Sequence, residues 1–132
     1  MQEGKNKKLI LLVDDNEFYH TAAKLIFKDV YEVVSVKSGV EAVEYFINAA
    51  GPVPDLIMLD IVMPDMDGWS TYNRLKTIDA VKNIPIAIVS STSGISPEIH
   101  AHYAGVADYI IKPYTKDDLL ERIKKILNKD AT

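Results

Sequence analysis

Five polar side chains in this sequence stand at the ends of short apolar runs. Asp14 and Asp15 follow Leu9-Ile10-Leu11-Leu12-Val13, Asp60 follows Leu56-Ile57-Met58-Leu59, Ser90 follows Ile86-Ala87-Ile88-Val89, and Lys112, with Pro113 next, follows Tyr109-Ile110-Ile111. If the four runs are parallel neighbouring strands, three carboxylates, a hydroxyl and an ammonium meet in the crevice beyond their carboxyl ends, where open α/β sheets bind ligands. Three carboxylates so placed repel, and they take up protons or bind a cation. Oxygen ligands alone select a hard cation, and Mg²⁺ takes one or two carboxylates together with waters and phosphate oxygens. A carboxylate beside such a cation can attack phosphorus and form an acyl phosphate. The chemistry to expect is therefore a divalent-metal site built around an acidic nucleophile.

The elements that must position these groups are legible as an alternation. Strands are predicted at Lys8–Val13, Glu32–Val36, Asp55–Leu59, Pro85–Val89 and Ala107–Ile111. The first, third and fourth are almost continuously aliphatic, as strands covered on both faces are. Helices are predicted between and after them. The first, Glu17–Lys28, carries Phe18, Ala22, Leu25 and Ile26 at i, i+4, i+7, i+8, the spacing of a buried stripe. The second opens on a capping box, Ser38 with Glu41, and ends before Gly51-Pro52. The third spans about Trp69–Lys76, and the fourth begins at Ser96-Pro97-Glu98. The fifth, Lys116–Asn128, starts with Thr115 and Asp118 in capping-box spacing and buries Leu119, Leu120, Ile123, Ile126 and Leu127. Five such units predict an α/β fold, a five-stranded parallel sheet with five helices on both faces.

Composition narrows the rest. The chain has 132 residues, enough for one domain with its own core, and no cysteine, which excludes disulfides, thiolate metal sites and thiol catalysis. A net charge of −4 argues against a nucleic-acid surface, and no apolar stretch approaches the ~20 residues of a membrane span. The basic start and five-residue apolar run do not make a signal peptide, so the expected location is cytoplasmic. Residues 1–7 read as a flexible tail and 8–129 as the domain.

The phrases Val13-Asp14-Asp15-Asn16, Asp60 through Gly68, and Gly105 through Pro113 together resemble the receiver domain of two-component response regulators, the chemotaxis-regulator-like, flavodoxin-like fold. The resemblance covers about Lys8 to Asn128. It implies strand order 2-1-3-4-5, with Asp60 as phosphoacceptor, Lys112 and Ser90 on the phosphoryl oxygens, and a cis Lys112-Pro113 peptide. It also implies Mg²⁺, with Mn²⁺ as a substitute, on Asp15, Asp60 and the backbone carbonyl of Val62, assisted by Asp14. The implied donor is a histidine kinase or a histidine phosphotransfer protein. On phosphorylation Ser90 would move inward and Tyr109 would turn from exposed to buried. The face of the fourth helix, fifth strand and fifth helix, including Ile95, Ile99, Tyr103 and Tyr109, would then repack for a downstream target or output domain. The chain would be no enzyme beyond its own phosphorylation and slow autodephosphorylation, and would bind neither nucleic acid nor membrane directly.

Several readings stand beside this one. The chain could be a single-domain regulator, a receiver cut from a longer regulator, or a docking-only receiver, although no acidic or lysine site position is lost. A phosphatase would keep a second Asp where Val62 stands, and a flavin domain would need a first loop that cradles phosphate. Ser90 stands for the commoner threonine, and Ser91 for the usual alanine. Val62 and Thr92 occupy the positions that tune phosphoryl lifetime in the family. Val62 cannot hydrogen-bond an attacking water, so self-dephosphorylation should be slow. Val62→Asn should speed it, and a rate that stayed level or fell in a phosphoryl-decay assay would refute the idea. Asp65 and Asp67 read as turn and cap residues, Trp69 as packing, His20 as solvated or packed, and His100 and His102 as pointing to different helix faces.

Overall fold

A computed structural model describes residues 7–61, 68–90 and 105–128. The chain order is β1 (Leu9–Val13), α1 (Glu17–Phe27), β2 (Glu32–Val36), α2 (Gly39–Ile47), β3 (Leu56–Asp60), α3 (Gly68–Lys76), a 3₁₀ turn (Asp79–Val81), β4 (Ile86–Ser90), β5 (Asp108–Ile111) and a C-terminal helix (Lys116–Asn128). The five strands form one sheet in the order β2-β1-β3-β4-β5, and every pairing is parallel. The described residues hold four α-helices. The helix expected from Ser96 lies outside them.

The alternation of side chains along each strand builds two cores. Leu11, Val13, Ile57, Leu59, Ile86 and Ile88 point to one face, under α2 and α3. Ile10, Leu12, Leu56, Met58, Ala87, Val89 and Ile110 point to the other, under α1 and the C-terminal helix. Because both faces are covered, β1, β3 and β4 are buried at nearly every position. The strands end on the chemistry: Asp60 is the last residue of β3 and Ser90 the last of β4, each one residue further than the apolar runs predict.

Three local expectations are corrected. The predicted stripe of α1 faces the wrong way. Phe18 and Leu25 are 67% and 68% exposed, while His20, Ala23 and Phe27 are buried and Ile26 packs beside them. Ser38 does cap α2, its Oγ accepting from the Glu41 N–H at 3.0 Å, but the Glu41 carboxylate accepts from the Lys37 N–H at 2.8 Å, one residue before the cap. Thr115 Oγ1 accepts from the Asp118 N–H at 3.2 Å, but the Asp118 carboxylate turns to Arg122 Nε at 3.0 Å. Of the apolar residues expected inside the C-terminal helix, Leu119 and Ile123 are fully buried, and Leu120, Ile126 and Leu127 are partly so.

Gly68, at the start of α3, fixes how closely that helix approaches the end of β3. A Cβ there would lie 2.0 Å from Ile61 Cα and 2.6 Å from the Asp60 carbonyl oxygen, and the Gly68 N–H donates to the Ile61 carbonyl at 3.0 Å. The obstacle is backbone, so it cannot yield as a flexible side chain would. Gly68→Ala is expected to cost about 3 kcal/mol or more and to displace Asp60. Urea denaturation checks this, and a variant as stable as the parent would contradict it.

Candidate metal and phosphoryl site

The sheet brings the five polar side chains together at the carboxyl ends of β1, β3, β4 and β5. The Asp14 N–H donates to the Val36 carbonyl at 3.1 Å, which continues the β1–β2 ladder one residue and sets the acidic pair at the sheet's rim. The Lys112 N–H donates to the Ser90 carbonyl at 2.8 Å, which sets the lysine beside the hydroxyl residue. The Lys112-Pro113 peptide is cis, as the resemblance implies.

Asp14 and Asp60 are 1% and 4% exposed, while Asp15 is open to solvent. One carboxylate oxygen from each lies within 4.8 Å of the others, a spacing that one cation can bridge. Lys112 brings positive charge to them: its Nζ donates to Asp14 Oδ2 at 2.8 Å and to Asp60 Oδ2 at 3.2 Å. Asp14 is further held through Oδ1, which accepts from the Asn16 N–H at 2.9 Å. Burial alone would lower the pKa of the Lys112 ammonium. The hydrogen bond to Asp14 and the charges of Asp60 and Asp14 outweigh burial, and the net shift is upward, so the lysine stays charged.

Ser90 is one of the groups the site leaves open. Its Oγ is buried and has no hydrogen-bond partner among the described residues. Buried hydroxyls are seldom left unpaired, and one at the mouth of an acidic pocket is placed to meet a group that arrives there. Tyr109 lies on β5, half-buried against the core beneath α2 and α3 rather than fully exposed. The Val62 carbonyl, Thr92, Ile95, Ile99 and Tyr103 lie outside the described residues, as do Asp65, Asp67, His100 and His102. Trp69 packs against the core near Tyr72, with ring centroids 6.5 Å apart.

Two residues of α1 reach the site that the sequence did not assign to it: His20, read there as solvated or packed, and Tyr19. His20 is buried and hydrogen-bonds the Asp14 carbonyl oxygen through Nε2. A carbonyl only accepts, so this nitrogen carries the proton. Tyr19 lies under Lys112, whose Nζ is 4.1 Å from the centre of its ring. Spacing gave no signal for it: Asp15 precedes the helix, which begins at Glu17, so the face that carries Tyr19 depended on the frame of α1. Tyr114 packs against Tyr19 at 5.5 Å, and burial, then the charges of Asp14 and Tyr19, push its hydroxyl far above the ordinary tyrosine value.

Comparison with known proteins agrees with this geometry. The model of the response regulator receiver domain matches residues 10–124. This chain belongs to the response regulator receiver domain family. It is 39% identical over 121 residues to the chemotaxis protein CheY of Bacillus subtilis, covering 90% of this chain and 97% of that protein. It is 30% identical over 130 residues to the transcriptional regulatory protein PrrA of Mycobacterium leprae, covering 98% of this chain but 54% of the relative. The receiver thus resembles both a whole protein and the part of a longer one. Its fold superposes on a putative response regulator from Chloroflexus aurantiacus with a TM-score of 0.80 at 29% identity, covering 92% of this chain and 98% of the other. No described helix of the receiver is long and apolar enough to cross a membrane.

Proposed function

We propose that this receiver accepts a phosphoryl group on Asp60 from a histidine kinase or histidine phosphotransfer protein, and that the group switches its surface. The observation that carries the reading is the buried, unpartnered Ser90 hydroxyl, which stands beside Lys112 at the end of the strand next to Asp60.

An Asp60 carboxylate oxygen attacks phosphorus in line. A new O–P bond forms, the P–N bond to the donor imidazole breaks, and the imidazole leaves with the electron pair. Lys112 moves its hydrogen bond from Asp60 to a phosphoryl oxygen and stabilises charge there. Mg²⁺, or Mn²⁺, held by Asp15 and Asp60 with Asp14 assisting, would supply positive charge to the remaining phosphoryl oxygens. Asp14 suits an assisting place because Lys112 and the Asn16 N–H already engage both its oxygens. The protein catalyses only this transfer and the slow loss of the group.

Ser90 then donates to the phosphoryl oxygen and gains the partner it lacks. The inward shift of Ser90 opens space for Tyr109 and repacks the face around β5, where a target protein or an output domain reads the change. This is a local electrostatic event biasing a two-state element. The 54% coverage of PrrA supports the alternative that the receiver serves within a longer regulator; a docking-only receiver is the other alternative.

Ser90→Ala separates transfer from response. With acetyl phosphate or beryllofluoride and Mg²⁺, the parent should change the fluorescence of its single tryptophan, Trp69. Ser90→Ala should still gain phosphoryl mass, at a rate within about tenfold of the parent because Lys112 and the cation remain, but lose the fluorescence change. An unchanged fluorescence response would contradict the role given to Ser90.

A further inference from the structure

We infer that Tyr19 is a positioning residue for the phosphoryl transfer proposed above, on which this inference rests: the face of its ring holds the Lys112 ammonium in place against Asp60.

A lysine ammonium has three donor directions on a flexible four-carbon stem. Asp14 and Asp60 take two of them, at 2.8 and 3.2 Å, and the Tyr19 ring covers a further side at 4.1 Å from its centre. The three partners do different work. The Asp14 pair is buried and doubly tied, and it anchors the charge. Asp60 is the partner the lysine must release when its oxygen attacks phosphorus. A third carboxylate on the remaining side would neutralise the ammonium and compete with the phosphoryl oxygens for it. A ring face attracts the cation through its quadrupole, carries no net charge and accepts no proton. It therefore holds Nζ in position while leaving its charge available to the incoming group.

The ring is itself braced. Phe18 meets it edge-on at 5.1 Å and Tyr114 lies against it at 5.5 Å. Lys112 is left with a side-chain exposure of 14%, so the contact is largely desolvated, the condition in which a cation over a ring is worth most. The Tyr19 hydroxyl has no part in this account; the ring face alone is required.

The test follows phosphoryl uptake from acetyl phosphate with Mg²⁺ by intact mass, beside the NMR shift of the Lys112 ε-methylene protons, which a ring face moves upfield. Tyr19→Phe keeps the ring and should react within about twofold of the parent, whereas Tyr19→Leu should be slower by about tenfold. The ε-methylene shift should be upfield in the parent and in Tyr19→Phe, and ordinary in Tyr19→Leu. Trifluorophenylalanine at position 19 keeps the shape while weakening the negative ring face, so it should fold like the parent and react as slowly as Tyr19→Leu. A trifluorophenylalanine variant reacting at the parent rate would overturn the inference and reduce Tyr19 to packing. Equal losses in the phenylalanine and leucine variants would also overturn it, in favour of the hydroxyl. A parent that takes up no phosphoryl group would overturn the phosphoacceptor reading, and this inference with it, and would be recognised before any variant is compared.

Discussion

Asp60→Asn takes up no phosphoryl group: incubated with acetyl phosphate and Mg²⁺, its uptake falls by at least about a thousandfold, below detection by intact mass. The parent carboxylate is the last residue of β3, 4% exposed, with Lys112 Nζ 3.2 Å from one oxygen. An amide oxygen is a poor nucleophile and holds a hard cation weakly, so one substitution removes the attacking atom and weakens the metal site together. The fold should survive, because asparagine matches the shape of aspartate and the Lys112–Asp14 pair at 2.8 Å does not depend on it. A variant that still gained the phosphoryl mass would move the acceptor elsewhere and contradict the account.

Lys112→Met should cost stability through charge rather than through packing. In the parent, the ammonium neutralises two carboxylates that are almost wholly buried. Methionine fills a similar volume but removes the ammonium that pairs with both Asp14 and Asp60. Removing one partner of a buried pair costs about 3–5 kcal/mol, chiefly because the other charge stays behind. Urea denaturation without divalent metal should show a loss of about 3 kcal/mol. Mg²⁺ should restore more stability to the variant than to the parent, because it replaces the missing charge. Equal stability of variant and parent in metal-free buffer would mean that the pocket tolerates its carboxylates unaided. Phosphoryl uptake should remain slow in the variant even with saturating Mg²⁺, because the ammonium that stood 3.2 Å from the Asp60 oxygen is gone.

The sheet and the site were largely legible in the sequence for one reason. Strands covered on both faces are continuous apolar runs, and the polar residue that ends each run marks the crevice. The face of α1 was not legible, and periodicity could not have settled it. Phe18, Ala22, Leu25 and Ile26 share their spacing with Tyr19, Ala23, Ile26 and Phe27, a frame one residue later. A shift of one residue turns a helix by about 100°. The structure selects the second frame, with His20 buried beside it on the Asp14 carbonyl and Tyr19 under Lys112. A histidine in the buried stripe reads as a polar interruption until the acceptor it serves is known. Gly68 stood in the sequence as the end of a phrase shared with the family. Its close approach to the backbone of Asp60 and Ile61 is tertiary and has no local signature. The cap of α2 was right in its residues and wrong in one bond, because Glu41 reaches Lys37 rather than Ser38. Such choices depend on side-chain reach, which spacing alone does not encode.

The central claim is that Asp60, among three clustered carboxylates, is the acceptor. Reduction with borohydride tests it most directly, because it converts an aspartyl phosphate to homoserine and leaves free carboxylates untouched. After treatment of the parent with acetyl phosphate and Mg²⁺, peptide mass mapping should place homoserine at position 60 alone, and omission of Mg²⁺ should abolish it. Homoserine at Asp14 or Asp15, or labelling that does not depend on a divalent cation, would contradict the account.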